Sequence, residues 1–148
     1  MKQLLSVLIL LFGLHSANAQ NPQLNPLNYS GKMSVTSLEA ITTPRYISYN
    51  DHALLSTEMS IPTMNLMQVV FDFKNKTIKI MDEELTKISN ISVKEYINKG
   101  LTTIVIHMDV IDSTDKLEFV WPPLENPYLL VIVQKEEEGA TLLKINLQ

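Results

Sequence analysis

Residues 67–80 carry the most regular alternation of apolar and polar positions in the chain. Met67, Val69, Phe71 and Phe73 share one parity, while Gln68, Asp72 and Lys74 share the other. Side chains alternate faces along a strand, so four bulky apolar groups point one way and mostly polar groups the other. After Lys74-Asn75-Lys76 the pattern resumes, with Ile78 and Ile80 facing in and Thr77 and Lys79 facing out. The stretch predicts a hairpin with Asn75 as its pivot, because Asn tolerates the left-handed backbone of short turns.

The same rule divides the rest of the chain. Residues 20–28 are polar, hold Pro22 and Pro26, and read as an extended arm. Met33 and Val35 predict a short first strand over 32–36, and 38–43 fit either its continuation or a helical turn. A strand over 45–49 starts after Pro44 and ends at Asn50-Asp51. Over 53–61 a strand is preferred to a helix, because Leu55, Thr57, Met59 and Ile61 share a face and Pro62 would cap a helix at under three turns. Residues 85–100 allow a helix capped by Ser92 and Glu95, but the spacing of neighbouring turns favours a hairpin through Asn98-Lys99-Gly100. Ile104, Ile106, Met108 and Val110 mark a strand over 102–110. Another holds Leu117, Phe119 and Trp121 and stops at Pro122-Pro123. Residues 128–133 are apolar on both parities, as in a strand covered on both faces, and Leu143, Ile145 and Leu147 close the chain as an inward row. The expectation is an all-β fold of roughly eight to ten short strands, with at most one short helix. A single antiparallel meander would close into a small barrel, with a β-sandwich as the alternative.

The beginning of the chain bears on where the protein acts. Lys2, an apolar run over 4–14 and Ala17-Asn18-Ala19 before Gln20 form the three parts of a secretory signal peptide. The apolar run is too short to cross a bilayer as a helix. The expected organisation is a signal peptide over 1–19, the arm over 20–28 and one β domain over 29–148. Export then places the protein in the periplasm or outside the cell. With no cysteine there is no disulfide scaffold, no thiol nucleophile and no lipid anchor on a cysteine. The core alone must stabilise the fold, which a chain of about 150 residues manages by burying roughly 70% of its unfolded surface. Sixteen acidic residues against twelve basic ones give a net charge of −4 without a basic cluster, which argues against nucleic acid as a partner.

Candidate chemistry is thin. His107 shares a face with Asp109, yet neighbouring side chains on one strand point out in parallel and do not converge on a reacting atom. No Gly-x-Ser-x-Gly turn, phosphate loop or dinucleotide fingerprint occurs. Asp109, Asp112, Asp115 and Glu118 surround one turn, but they lack the alternating oxygen ligands and central glycine of a calcium loop. No cofactor, metal site or catalytic residue is assigned, and the expectation is a protein that is not an enzyme. Tyr46 and Tyr49 lie on opposite parities and form no shared platform. Trp121 either lines a barrel mouth or plugs the end of the core.

The order of elements resembles the small secreted lipocalin-like (calycin-type) β-barrels. That family carries Gly-x-Trp in its first strand; here the position is Gly31-Lys32-Met33, so the glycine fits and Met33 stands in place of the tryptophan. The resemblance implies a barrel whose interior is either filled or holds one ligand, and it carries over no ligand-binding residue. If the rows Val69/Phe71/Phe73 and Ile104/Ile106/Met108 line that interior, the ligand is apolar. Met33, Met59, Met64, Met67 and Met108 would add adaptable surface. The leading expectation is a binding module for a small apolar ligand. The alternative is an interaction or structural module with a filled core, whose partner is another envelope protein.

Overall fold

The computed structural model describes residues 26–44, 56–63, 66–135 and 139–148. Among these residues nine strands form: β1 (Ser30–Thr43), β2 (Met59–Pro62), β3 (Gln68–Asp72), β4 (Thr77–Ile80), β5 (Thr86–Asn98), β6 (Leu101–Val110), β7 (Lys116–Trp121), β8 (Tyr128–Lys135) and β9 (Gly139–Leu147). Among the described residues the helical structure is confined to a 3-10 turn at Pro26–Asn28. From β3 to β9 each strand pairs antiparallel with the next, and β1 pairs with both β3 and β9. The fold is therefore an all-β antiparallel meander whose hydrogen bonding runs round as a barrel-like ring.

One edge of β1 takes two partners in series. Ser30–Ser34 pair with β3 and Ser37–Ala40 with β2, while β9 runs along the opposite edge. Pro62 has no N–H for the ladder and is the last residue of β2, while Thr63 N and Met67 O still bond to Thr36 O and Val35 N of β1. The nine strands thus occupy eight positions around the ring.

Register places the inward side chains. Leu38, Ile145, Leu129, Phe119 and Ile106 lie abreast across β1, β9, β8, β7 and β6. Phe71 on β3 and Phe119 on β7 stand four positions apart, on opposite walls, and their ring centroids are 4.8 Å apart. Phe73 also reaches Phe119, at 6.2 Å. Aromatic rings in contact sit about 4.5–7 Å apart, so the two walls meet directly and the ring is filled at this level. Each such side chain contributes about 1.5–3 kcal/mol when fully buried, which is how a chain without disulfides stays folded.

One end is closed by Tyr29, whose ring lies 6.1 Å from Phe71, from Phe73 and from Trp121. Gly31 permits this approach, since a Cβ there would lie 2.6 Å from the Tyr29 hydroxyl. Burial pushes the Tyr29 phenol above its ordinary value. Trp121 stacks edge-on against Tyr29 and Phe119 and is partly exposed, so it plugs this end.

Several expectations change. The first strand is not short: it runs unbroken through residues 38–43, because β9 and β2 supply ladder partners on both edges there. In the β3–β4 turn the positive φ falls on Lys76, at 54°, and not on Asn75. Asn75 instead donates from its backbone N (3.2 Å) and its Nδ2 (2.7 Å) to the Asp72 carboxylate, which fixes the turn from its first corner. Residues 85–100 form the expected strand and turn: Asn98 pairs with Leu101 across Lys99 (φ 50°) and Gly100 (φ 78°). Positive φ at both central residues matches the twist of the flanking strands, and this local closure wins over the capping-box helix. The expected strand over 45–49 lies outside the described residues, as do 53–55 of the one expected over 53–61; of the rest, 56–58 are not strand and 59–61 belong to β2.

Candidate functional site

The two rows expected to line the interior, which the sequence leaves open between pocket and packed core, are core. Val69, Phe71, Phe73, Ile106 and Met108 are buried in one cluster, with Ile104 half-buried against it. Of the expected methionines, Met33 packs half-buried on this cluster, Met59 and Met67 are exposed, and Met64 lies outside the described residues, as do Tyr46 and Tyr49.

A concavity of about 850 Å³ lies on the outer face. Its construction follows from how β7 ends. Pro122 and Pro123 cannot donate to a ladder, so β7 stops at Trp121, opposite Ile104. Leu101–Thr103 and their partners on β5 project past that end as a free hairpin tip. The tip, with Tyr96, Ile97 and Leu101, forms one wall of the groove; the loop after β7, with Leu124, adds another. Ile97, at the end of β5, is 73% exposed and Leu124, on the loop after β7, is 78% exposed, a high exposure for aliphatic side chains.

The floor comes from outward positions of β8, β9 and β1. Leu130, Lys144 and Glu39 lie abreast, flanked by Tyr128 and by Leu142 and Ile41. Ile41, Leu130, Ile132 and Leu142 form a second buried cluster, so β8 is covered on both faces, as its apolar run predicts. Across this apolar layer runs a polar network. Asn146 Nδ2 donates to Glu39 Oε1 at 2.8 Å and to Ser37 Oγ at 2.9 Å. Thr57 Oγ1 donates to Glu39 Oε2 at 3.1 Å, and Lys144 Nζ lies 3.6 Å from that same oxygen. The ammonium also sits 4.8 Å from the Tyr128 ring centroid, within cation–π range. Burial works to raise the Glu39 pKa, but the hydrogen bond from Asn146, the Lys144 charge and Thr57 outweigh it. The carboxyl is held below the usual carboxylate range.

A second, smaller pocket of about 230 Å³ lies further round the outer face, between Lys94, Asp109 and Lys116. Ser92, His107 and Glu118 are direct neighbours there across β5, β6 and β7. His107 Nδ1 lies 3.1 Å from Glu118 Oε1, and Glu118 is 1% exposed. The partner that orients His107 is therefore Glu118 and not Asp109, whose carboxylate takes a 3.4 Å contact from Asn90 Nδ2. His107 Nε2 is buried with no hydrogen-bond partner among the described residues, so Ser92 makes no hydroxyl–imidazole contact of the kind that activates a nucleophile. Among the described residues no group of three His, Asp or Glu side chains could hold a metal ion, so the carboxylates of the β6–β7 turn do not converge. No described helix is long and apolar enough to cross a membrane.

A third feature is an apolar rim on β2 and the link to β3. Met59 and Ile61 are about half exposed and Leu66 is 86% exposed, and the outer edge of β2 pairs with no described strand. The sequence pattern shows the inner rows but not the groove, the pairing of Glu118 with His107, or Lys144. Each of these depends on which outward positions the register brings together. No protein-family model, curated protein or solved structure matches this chain.

Proposed function

We propose that the chain is a non-enzymatic exported binding module that takes a small apolar ligand in the outer groove. The observation that carries this reading is the pairing of a filled interior with an open concavity that has an aliphatic wall. Phe71 meets Phe119 across the ring, while Ile97, Leu101 and Leu124 stand exposed around about 850 Å³. That volume lies within the roughly 300–1,000 Å³ of small-molecule sites. Export rests on the leader pattern of residues 1–19, and N-terminal sequencing of protein recovered from its host should begin at Gln20. The ligand reading is tested by titrating a neutral apolar fluorophore into the protein. Leu101→Asp should weaken binding, and Met67→Asp, on the apolar rim outside the groove, should not. The opposite pattern overturns the assignment of the site.

A second reading, an interaction or structural module of the envelope, is supported by the β2 edge. Met59, Ile61 and Leu66 give it an exposed apolar surface beside a strand edge that pairs with no described strand, and strand edges accept a further strand. Native mass spectrometry of protein from its own host separates the two readings. A co-purifying small apolar mass favours the groove. Recovery with one defined protein, lost on Ile61→Lys, favours the edge.

A further inference from the structure

We propose that the outer groove selects single-chain amphiphiles with one negatively charged head, with Lys144 as the anchor for the head and Ile97, Leu101 and Leu124 as the contact for the apolar body. The inference rests on the groove being the ligand site and adds the chemistry that the site discriminates.

It follows from the unequal use of the two charges on the groove floor. Glu39 is spent as an acceptor: Oε1 takes the Asn146 amide at 2.8 Å, and Oε2 takes Thr57 at 3.1 Å and faces Lys144. A cationic ligand would have to displace donors supplied by the protein itself. Lys144 is in the opposite position. An ammonium has three donors, and its approach to Glu39 is 3.6 Å, longer than the roughly 2.7–3.2 Å of a well-formed N–H···O bond. Its other neighbour is the Tyr128 ring, which fixes where the charge sits without using a hydrogen bond to oxygen. Lys144 therefore keeps donor capacity for an anionic oxygen, and its side chain is 28% exposed within the groove. Lys99 on the hairpin tip and Glu125 on the loop after β7 add one charge of each sign at the rim, so the preference for an anionic head rests on Lys144.

The apolar part of the ligand follows from the walls. Ile97, Leu101 and Leu124 come from two neighbouring turns at one end of the groove, and the apolar floor beneath is buried by its own packing. A body lying against these three side chains would remove their apolar surface from water while its head reaches Lys144. A bilayer could cover the same three side chains, and it would do so without using Lys144.

The test uses the full mature chain and two probes below their micellar concentrations: dansyl-aminoundecanoate, which carries a carboxylate, and its primary amide. The carboxylate should bind about tenfold more tightly, the discrimination expected of one charge-assisted hydrogen bond. Lys144→Met should bring the two affinities together by weakening the carboxylate alone, and Leu101→Asp and Leu124→Asp should weaken both probes. Equal affinity of the parent for the two probes, with both lost in Leu101→Asp, overturns the charge selection and leaves the groove as the ligand site. Binding of both probes unchanged in Leu101→Asp and Leu124→Asp overturns the groove itself. A carboxylate preference that survives Lys144→Met overturns the anchor. Co-sedimentation with phosphatidylcholine vesicles that is lost in Leu124→Asp and kept in Lys144→Met would identify the wall as a bilayer contact and overturn the proposal.

Discussion

Phe71→Ala tests whether the ring is filled at its middle. Phe71 is fully buried and touches Phe119 from the opposite wall at 4.8 Å, Phe73 at 5.4 Å and Tyr29 at 6.1 Å. Truncating a core Phe costs about 3–5 kcal/mol, and the value depends on how far the site can collapse. Here β3 is held by ladders to β1 and β4, and β7 by ladders to β6 and β8, so neither wall can move freely into the void. The expected loss is at the upper end, about 4–5 kcal/mol. Val70→Ala is the internal control, because its side chain points outward and is 42% exposed; it should stay within about 0.5 kcal/mol. Urea unfolding followed by tryptophan fluorescence gives both values, and an unchanged slope keeps the comparison like for like. A loss below about 2 kcal/mol for Phe71→Ala would mean that the walls do not meet as described. Equal losses for the two variants would mean that the inward and outward faces of β3 are assigned the wrong way round.

Met108 is 1% exposed in the same core, so Met108→Trp should cost about 1–3 kcal/mol or more by forcing neighbours off their rotamers, and a melt as stable as the parent's would show unused space there. His107→Ala removes a partner of the buried Glu118 carboxylate and should cost about 1–3 kcal/mol in urea melts, reduced because the imidazole is 25% exposed; a neutral result would show that the pair is not coupled. Glu39 is held ionised in the fold below its ordinary range, so its contribution is present above the unfolded value and is lost as the pH falls through the folded one. Stability measured between about pH 5 and pH 3 should therefore fall more steeply in the parent than in Glu39→Gln, and parallel profiles would remove Glu39 from the network.

The strands were legible because their inner faces are. A period of two marks a buried face where one side of a strand packs and the other does not, as in β3. In β6 and β7 the inner row showed although Val105, Glu118 and Val120 are buried on the other face. The double-sided burial of β8 also showed, as an unbroken apolar run. What did not show was the continuation of β1 past Val35, where the alternation weakens. Ser37, Glu39 and Ile41 share the outward face there, and Leu38 and Ala40 the inward one. Outward Ile41 is apolar only because a second cluster covers that side. Positive φ in the β3–β4 turn falls on a lysine, a residue with no special preference for it, so sequence chemistry pointed to the neighbouring asparagine.

The groove was illegible for a different reason. Periodicity says whether a side chain points in or out, but it does not say which outward side chains meet. Glu39 and Lys144 come together because β1 closes the ring onto β9, a pairing between the two ends of the domain. Glu118 meets His107 only through the β6–β7 register. Its one sequence signal is a carboxylate set between Leu117 and Phe119 in a strand that is otherwise mostly apolar. A chain without disulfides needs its inner surface for stability, and Phe71 against Phe119 shows that surface in use. On the proposed reading, recognition is then left to outward positions. On those positions a polar group can keep unused hydrogen-bonding capacity, as Lys144 does, because water serves it until a ligand arrives. The same ammonium turned into the aromatic core would be desolvated without a partner. The separation of stability inside from chemistry outside follows from that difference in cost.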